Sequence, residues 1–285
     1  ACALLGDVVK CWGYNNYEQL GDGSTTQRNT PVQAIATGTG ATAITAGSNH
    51  SCAVVSGGAK CWGYNGYGQI GDNTLTSRNT PTAVNSLGSG TGVTAIAGGE
   101  GHTCAIVSSA IKCWGYGGYG ALGNNSTSNS SVPVNTNTLT NVTTIALGMG
   151  SESSCATYTN GGTTGIPNCW GYNGYGQLGD STTTQRNIPT APTGITSGVS
   201  QIAIGRYRTC FVQSGAIKCS GENTYGGVGA GTTIATYNTF QTAYTSGAVA
   251  NLSINGPATT LSNTCSNAIN VVSRDSSNHP AYPAA

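Results

Sequence analysis

The stretch CWGYNGYGQIGD at residues 61–72 decides the fold, because close copies of it recur along the chain. The copies are CWGYNNYEQLGD from Cys11, CWGYGGYGALGN from Cys113 and CWGYNGYGQLGD from Cys169, followed by the weaker CSGENTYGGVGA from Cys219. The steps between successive copies are 50, 52, 56 and 50 residues. Self-similarity at a nearly fixed spacing is typical of a repeat architecture, so it takes precedence over a domain count based on length.

Each repeat contains four short extended segments. In the second repeat, residues 42–46 alternate small and apolar side chains, SCAVV and AKCWG flank SGG, and TPTAV follows a loop rich in Gly, Asn and Thr. A proline opens the fourth segment and cannot donate to a β-ladder, so this segment is predicted to be the outermost strand. The prolines at that position are Pro31, Pro81, Pro133 and Pro189. The pattern predicts an all-β fold, a β-propeller of four-stranded antiparallel blades, with five to six blades.

The ends of the chain are out of step with the repeat. We expect the propeller to span residues 1–254, with repeats near 2–51, 52–103, 104–154, 155–209 and 210–254. The first repeat lacks an inner strand, and VANLSI at 249–254 resembles one, so it is predicted either to complete the first blade or to begin a sixth. Residues 255–285 are predicted to be a C-terminal tail and a candidate strand donor.

The cysteines test the strand geometry. In four repeats they stand nine residues apart, and a two-residue hairpin loop such as Ser56-Gly57 places them opposite each other at a non-hydrogen-bonded position. The Cα separation there, about 4.5 Å, suits a disulfide. In the fourth repeat the spacing is fourteen, which we attribute to a hairpin loop longer by five residues. The predicted disulfides are Cys2–Cys11, Cys52–Cys61, Cys104–Cys113, Cys155–Cys169 and Cys210–Cys219. A zinc site would need four converging ligands, so no metal is expected.

Composition limits the partners and the compartment. The 285 residues include 10 Lys and Arg and 9 Asp and Glu, a net charge of +1 that does not suit a nucleic-acid binder. No apolar run approaches the roughly 18 residues of a membrane span, so no membrane insertion is expected. Eleven cysteines favour an oxidising compartment, which predicts an extracellular or cell-surface protein. No cofactor is indicated.

An acidic and a basic residue six positions apart change together between repeats. The pairs are Asp22 with Arg28, Asp72 with Arg78, and Asp180 with Arg186. The third repeat has Asn124 with Ser130 and the fifth has Ala230 with Thr236, so both charges are lost at once. This favours ion pairs that brace a loop, because the loss of one partner would strand the other charge. Calcium is the rival, but it prefers six to eight oxygens and each loop offers one carboxylate.

These motifs carry a family resemblance. CWGYNGYGQLGD, the following R-N-x-P-T and GEGHTCAI closely resemble the repeat of the regulator of chromosome condensation family, in its disulfide-bearing bacterial form, over residues 1 to about 230. The resemblance implies a β-propeller, usually of seven blades, that functions by binding: nucleotide exchange on a small GTPase, or protein inhibition in secreted relatives. Five cysteine hairpins depart from the usual blade number, and the cysteine pairs argue against a nuclear exchange factor.

The ionisable residues offer little for catalysis. His50 and His102 share one repeat position and are interpreted as packing or hydrogen-bonding residues. A glycosidase would need two facing carboxylates near the propeller axis, and Glu100 and Glu152 are the candidates for such a pair. We do not expect this pair to be catalytic. No G-x-S-x-G motif or phosphate loop is present in the sequence. We therefore predict no catalytic residues and no enzyme.

Paired tyrosines follow each tryptophan, and two interpretations stay open. They are Tyr14, Tyr17, Tyr64, Tyr67, Tyr116, Tyr119, Tyr172 and Tyr175. They serve either as contact residues for a protein or a glycan, or as packing between blades. The near identity of the tyrosine loops favours an extracellular structural protein that self-assembles into a filament or a surface layer. The alternative is a secreted protein- or glycan-binding propeller, such as an inhibitor, adhesin or lectin-like module.

The tail supplies the expected assembly contact. Cys265 has no partner in the repeat pattern and is predicted to be unpaired or intermolecular. The β-prone segment AINVV is expected to pair with a blade edge of a neighbouring copy and build a head-to-tail homopolymer. Its residues are Ala268, Ile269, Asn270, Val271 and Val272.

Overall fold

A computed structural model describes residues 1–137, 139–232 and 234–244. These residues form nineteen strands in five antiparallel sheets, together with one short 3₁₀ turn at Gly118–Gly120. The predictions for residues 249–254, for Cys265 and for the assembly strand 268–272 lie outside the described residues, so the division at residue 254 stays a prediction.

Each sheet is one blade and follows chain order. The strands are β1 (Cys2–Leu5), β2 (Val8–Gly13), β3 (Arg28–Ile35), β4 (Ala41–Ala46), β5 (His50–Val55), β6 (Gly58–Gly63), β7 (Arg78–Ala83), β8 (Val93–Gly98), β9 (His102–Val107), β10 (Ala110–Gly115), β11 (Ser130–Asn135), β12 (Val142–Leu147), β13 (Ser153–Asn160), β14 (Thr163–Gly171), β15 (Arg186–Thr190), β16 (Val199–Ile204), β17 (Arg208–Gln213), β18 (Ala216–Glu222) and β19 (Thr236–Tyr244). The first sheet has three strands and each of the others has four.

The first strands of successive four-stranded blades contact one another, β4 with β8, β8 with β12 and β12 with β16, so they form the inner side of the propeller. The predicted all-β fold of antiparallel blades is confirmed. The first sheet, β1-β2-β3, lacks an inner strand among the described residues, as its repeat does in the sequence.

The outer strands begin earlier than the sequence indicated. β3, β7, β11 and β15 are the last strands of their sheets, as their prolines predict. Each begins three residues before its proline, at Arg28, Arg78, Ser130 and Arg186. The reason is a register shift in the ladder between the third and fourth strands. Cys61 pairs with Thr82 but Gly63 pairs with Arg78, so the outer strand has more residues than its partner over this stretch and begins at Arg78.

The two central strands of each blade form a tight hairpin. Between Val55 and Gly58 the loop has two residues, Ser56 and Gly57, with φ of 49° and 69°. Positive φ at both positions is the mark of a type I′ turn, whose twist matches that of the strands.

Neighbouring blades are joined by buried tryptophans. Trp62, Trp114 and Trp170 are fully buried, and each indole Nε1 donates to a carbonyl of the blade before: Gln19 at 3.0 Å, Gln69 at 2.9 Å and Ala121 at 2.9 Å. The backbone of the blade before approaches these indole rings so closely that a side chain would not fit between them. A Cβ built on Gly71, which has φ +77°, would lie 2.7 Å from the Trp114 ring. In the fifth blade Ser220 takes the tryptophan position, and its Oγ still donates to the Gln177 carbonyl of the blade before at 3.1 Å. Phe240, which stacks on Phe211 of the same blade, lies against Gly179.

Candidate functional site

The ten repeat cysteines lie in five disulfides, each between the two central strands of one blade. The Cα atoms are 4.0–4.1 Å apart in every pair, and the partners lie directly opposite each other in the ladder. Disulfides at this density are consistent with an extracellular protein. The pairs are Cys2–Cys11, Cys52–Cys61, Cys104–Cys113, Cys155–Cys169 and Cys210–Cys219.

The fourth hairpin keeps a short turn, which corrects the expectation of a longer loop. Asn160 pairs with Thr163 around Gly161 and Gly162, so the extra residues lengthen β13 and β14 instead. An irregularity between Tyr158 and Asn160 absorbs the odd residue. Extending the ladder satisfies backbone groups that a long loop would leave to water.

The Asp and Arg residues predicted as pairs are brought together in three blades. The distance from Asp Oδ2 to the guanidinium is 2.7 Å for Asp22 and Arg28, 2.6 Å for Asp72 and Arg78, and 2.6 Å for Asp180 and Arg186. Burial raises the pKa of Asp72, but hydrogen bonds from Thr74 and Arg78 outweigh it and leave that pKa below its usual value. The other Asp72 oxygen accepts from the Thr74 hydroxyl at 2.7 Å.

A buried asparagine completes each of these braces, and sequence reasoning missed it. Asn65 is fully buried; its Nδ2 donates to the carbonyls of Thr74 and Thr76 at 3.0 Å, and its Oδ1 accepts from the Ile70 amide. Asn15 and Asn173 do the same in their blades. The signal was available in the sequence, since the asparagine always stands seven residues before the aspartate.

The tyrosines form a continuous belt along one end of the sheets. Each ring meets the next edge to face, at centroid distances of 5.0–6.4 Å from Tyr14 to Tyr175, and Tyr207 closes the row at 4.4 Å from Tyr175. Sequence reasoning missed Tyr207 because it lies outside the repeated motif. We call these nine residues the tyrosine belt: Tyr14, Tyr17, Tyr64, Tyr67, Tyr116, Tyr119, Tyr172, Tyr175 and Tyr207.

The belt is both packed and accessible, so neither of the two sequence interpretations is complete. Its rings pack on one another in preorganised positions. Even so, Tyr14, Tyr17, Tyr67 and Tyr119 remain 41–51% exposed and the other five are partly exposed. Aromatic rings held in place and open to solvent offer large contact area at a small entropy cost.

A second set of loops lies beside the belt at the same end of the blades. These loops connect the inner strand to the next one, and their carbonyls accept from the belt loops: Asn49 O from the Tyr64 amide at 2.8 Å, Gly101 O from Tyr116 at 2.9 Å, and Glu152 O from Tyr172 at 2.8 Å. Unlike the belt loops, they differ from blade to blade. Their sequences are GSN at 47–49, GEG at 99–101, GMGSE at 148–152 and GRY at 205–207.

A cavity of about 480 Å³ opens between the belt and these loops. Five belt tyrosines line it, from Tyr17 to Tyr119, together with the carboxylates of Glu100 and Glu152. Burial raises the pKa of Tyr116, and the nearby Tyr119 and Glu152 raise it further. The cavity is therefore aromatic and electronegative.

The two histidines form hydrogen bonds between neighbouring blades, a role more specific than the packing or hydrogen bonding that the sequence indicated. His50 Nε2 lies 2.8 Å from Thr103 Oγ1 of the next blade, and His102 Nε2 lies 2.8 Å from Ser154 Oγ. Burial, with a smaller contribution from His102, lowers the pKa of His50 to about 3. Its Nδ1 is buried with no hydrogen-bond partner among the described residues.

His102 also holds Glu152, at 2.9 Å from Nδ1 to Oε2, which produces a Ser–His–Glu sequence of hydrogen bonds. Ser154 and His102 are fully buried, so no substrate carbonyl reaches this hydroxyl. The equivalent pair, His50 and Thr103, is also structural: the Thr103 hydroxyl donates its hydrogen to the Gln69 carbonyl at 2.9 Å. The arrangement is a repeated brace between blades.

The fifth blade replaces these groups with an ion pair that sequence reasoning missed. Arg208 stands at the histidine position and Glu222 at the first tyrosine position, 2.6 Å apart from Nη2 to Oε2. Over residues 1–137, 139–232 and 234–244, no group of three His, Cys, Asp or Glu side chains is placed to hold a metal. The same residues contain no helix long and apolar enough to cross a membrane.

Repeated antiparallel blades, each cross-linked by its own disulfide, define a β-propeller built from sequence repeats. Residues 9–54, 57–106, 113–156 and 169–212 match the Regulator of chromosome condensation (RCC1) repeat, and residues 41–69 match a second profile of the same repeat. The chain belongs to this family, which confirms the resemblance drawn from the sequence.

Two relatives and one solved structure illustrate the range of the family. The Ultraviolet-B receptor UVR8 of Arabidopsis thaliana is 31% identical over 234 residues, covering 80% of this chain and 52% of UVR8. The probable E3 ubiquitin-protein ligase HERC4 of Rattus norvegicus is 34% identical over 184 residues, 64% of this chain and 17% of HERC4. Prp20p of Saccharomyces cerevisiae superposes with a TM-score of 0.68 at 20% identity, over 88% of this chain and 63% of Prp20p.

These matches cover only part of the relatives. The chain spans about half the length of UVR8 and less than a fifth of HERC4. The similarity to Prp20p, at 20% identity, shows the shared propeller fold.

Proposed function

We propose that this chain is an extracellular binding propeller that contacts a protein partner through the tyrosine belt. The observation that carries the proposal is the pairing of nine partly exposed, mutually packed tyrosines with four loops of unlike sequence at the same end of the blades. The five disulfides support an oxidising, extracellular setting.

The belt has the properties of an interface centre. Tyrosine is enriched among residues that carry binding energy, because it combines a large apolar ring with a polar tip. Tyr67 and Tyr119 are held by neighbouring rings at 5.2 Å and 5.0 Å, so their conformations are largely set before binding. Preorganisation of this kind lowers the entropy cost of association.

The neighbouring loops supply the asymmetry that recognition requires. A partner is not five-fold repetitive, so identical loops alone would not orient it. Glu100, Met149 and Arg206 give the third, fourth and fifth blades different charge and polarity beside a nearly uniform aromatic row. Prp20p, which shares the fold, has been studied for its binding to Gsp1p and histones, which is in keeping with protein recognition by such propellers.

The test compares the two ends of the blades. A variant with Tyr67→Ser and Tyr119→Ser disrupts the belt, while Leu5→Ser alters an exposed residue at the opposite, hairpin end. We expect a panel of purified extracellular proteins to contain one that binds the wild type and Leu5→Ser equally. The belt variant should bind it at least about tenfold more weakly, from the loss of two central aromatic contacts.

Thermal unfolding of each variant establishes that the fold is intact before binding is compared. The protein-binding proposal would be contradicted if the belt variant bound the partner as tightly as the wild type does. It would also be contradicted if the wild type bound glycans on an array but none of the proteins in the panel. Binding of glycans through the same tyrosines would instead favour a lectin-like module.

A self-assembling structural subunit is the second candidate. The observation that favours it is β19, the nine-residue last strand of the fifth blade, which contains no proline, whereas β3, β7, β11 and β15 each contain one. A proline-free edge accepts an added strand more readily. The expected donor is the segment 268–272, with Cys265 as a covalent lock.

Sedimentation velocity of the full chain tests this candidate. We expect a concentration-dependent polymer that Val271→Lys dissociates and that Cys265→Ser renders sensitive to dilution. A full-length monomer at high concentration would exclude the filament.

A further inference from the structure

We propose that the cavity in the tyrosine belt receives an arginine side chain of the protein partner. This inference rests on the proposed function and names the group that the belt recognises. The cavity, of about 480 Å³, has aromatic walls and lies within the size range of sites that bind small groups.

The charge of the cavity selects a cation. Glu100 and Glu152 both line it, and none of the lysines or arginines of the described residues does. Glu100 is exposed and forms no ion pair within the described part of the chain. Glu152 Oε2 accepts from His102, which holds the carboxylate in place while Oε1 lies on the side of Gly101.

Gly101 lines the cavity, and its lack of a side chain lets the tyrosines and Glu152 approach it closely. A Cβ at this position would lie 3.0 Å from Tyr116 Cβ, 3.3 Å from Glu152 Oε1 and 3.3 Å from Tyr67 Cδ2. Gly101 is not among the glycines with positive φ, so backbone conformation does not require a glycine here. At the corresponding position the other blades carry side chains: Asn49, Glu152 and Tyr207. The third blade alone among these four has no side chain at this position, and a side chain there would crowd the two tyrosines and the carboxylate that line the cavity.

The same face already shows the contact that we propose. In the fifth blade the guanidinium carbon of Arg206 lies 5.0 Å from the centroid of the Tyr207 ring. A guanidinium stacks flat on a tyrosine face and donates to carboxylates from a planar fork, whereas an ammonium is a compact point charge without that fork. Two carboxylates beside five tyrosine rings therefore favour arginine over lysine.

The probe is N-acetyl-arginine amide, with N-acetyl-citrulline amide as the uncharged match of the same shape and N-acetyl-lysine amide as the second cation. Binding is followed by NMR shifts of the tyrosine ring protons during titration. We expect saturable shifts with the arginine probe, weaker ones with lysine and none with citrulline. Affinity for arginine should fall as salt is raised, because part of it is electrostatic.

Variants assign the effect to the cavity. Glu100→Gln, which removes an exposed charge, should weaken arginine binding by about three- to tenfold. Gly101→Leu should abolish it, because the added side chain displaces the tyrosines and the Glu152 carboxylate that line the cavity. Glu18→Gln changes an acidic residue of the first belt loop that does not line the cavity, so it should bind like the wild type.

Equal binding of citrulline and arginine, or unchanged binding in Glu100→Gln, would overturn the proposal. This failure is distinct from failure of the proposed function. If the arginine probe fails while the belt variant still loses its protein partner, only the cation site is wrong. If the probe binds but the belt variant keeps its partner, the binding face is wrong.

Discussion

Trp62 Nε1 donates a hydrogen bond of 3.0 Å to the carbonyl oxygen of Gln19 in the blade before it. The ring is fully buried and Gly21 lies against it, so bond and packing act together at one interface. Ser51 Oγ donates to the same carbonyl at 2.9 Å.

Replacing this tryptophan should separate packing from hydrogen bonding. We expect Trp62→Phe to lower the free energy of unfolding by about 1–2 kcal/mol and Trp62→Ala by about 3–5 kcal/mol, since only the second leaves a large cavity. Denaturant unfolding measures both, with Trp12→Phe as the control because that ring is only partly buried. Equal losses at Trp12 and Trp62 would contradict an interface role.

The disulfide pairing is open to direct chemical mapping. Digestion without reduction should yield five intra-blade pairs and none between blades. Replacing both Cys104 and Cys113 by alanine should lower the free energy of unfolding by about 2–3 kcal/mol, as expected for a cross-link that closes a short loop. A cysteine bonded across blades would refute the pairing.

The Asp72–Arg78 pair should behave as a coupled unit. Arg78→Gln alone strands the Asp72 carboxylate, whose side chain is only 5% exposed, so it should cost more than the double change with Asp72→Asn. A double-mutant cycle by thermal unfolding gives the coupling free energy, expected to be about 1 kcal/mol or more. Additive effects would show that the two residues act independently.

His50 should make the protein sensitive to mild acid. Its pKa is about 3 in the folded chain, and about 6.5 is expected once the chain unfolds. The unfolded state therefore binds the proton first: the contribution to stability is complete above pH 6.5 and is lost as pH falls from 6.5 toward 3. The slope is at most about 1.4 kcal/mol per pH unit.

His50→Gln should flatten the stability profile between pH 6.5 and 4.5, measured by denaturant unfolding at each pH. Below that window Asp22, Asp72 and Asp180, whose pKa values are lowered although burial opposes it, lose their hydrogen bonds as they protonate. An unchanged slope in His50→Gln would show that another group carries the acid sensitivity.

Features carried by the repeat were predictable because each copy is an independent observation of the same local geometry. The hairpin around Ser56-Gly57 and the outer position of the proline strands follow from turn and ladder chemistry within one unit. The start of β7 at Arg78 did not follow, because an irregular register between Cys61 and Gly63 sets it.

The candidate site was only half visible in the sequence, because it is built from two sets of loops that meet in space. The tyrosine pairs stood out by repetition, and Glu100 and Glu152 stood out as the pair of carboxylates expected near the propeller axis; both line the cavity. Tyr207 and Gly101 did not stand out, because they occupy the connections that do not repeat. The contact of these connections with the belt depends on hydrogen bonds such as Tyr172 N to Glu152 O, between residues 20 positions apart. Comparing the repeats reveals the residues that they share, but it does not reveal the residues of the connections that differ from blade to blade.

The hydrogen bond from each tryptophan to the blade before bears on how such a chain could gain or lose repeats. Trp62, Trp114 and Trp170 each donate to a carbonyl at the same position of the blade before. A duplicated unit would therefore form the same contact with its new neighbours. After the loss of one unit, the two units on either side of it could form that contact with each other. The number of units can therefore change while the chemistry of each tryptophan junction stays the same. In the fifth blade Ser220 stands at the tryptophan position and donates to Gln177 O at 3.1 Å, and Phe240 lies against Gly179, so different side chains make the same kind of junction.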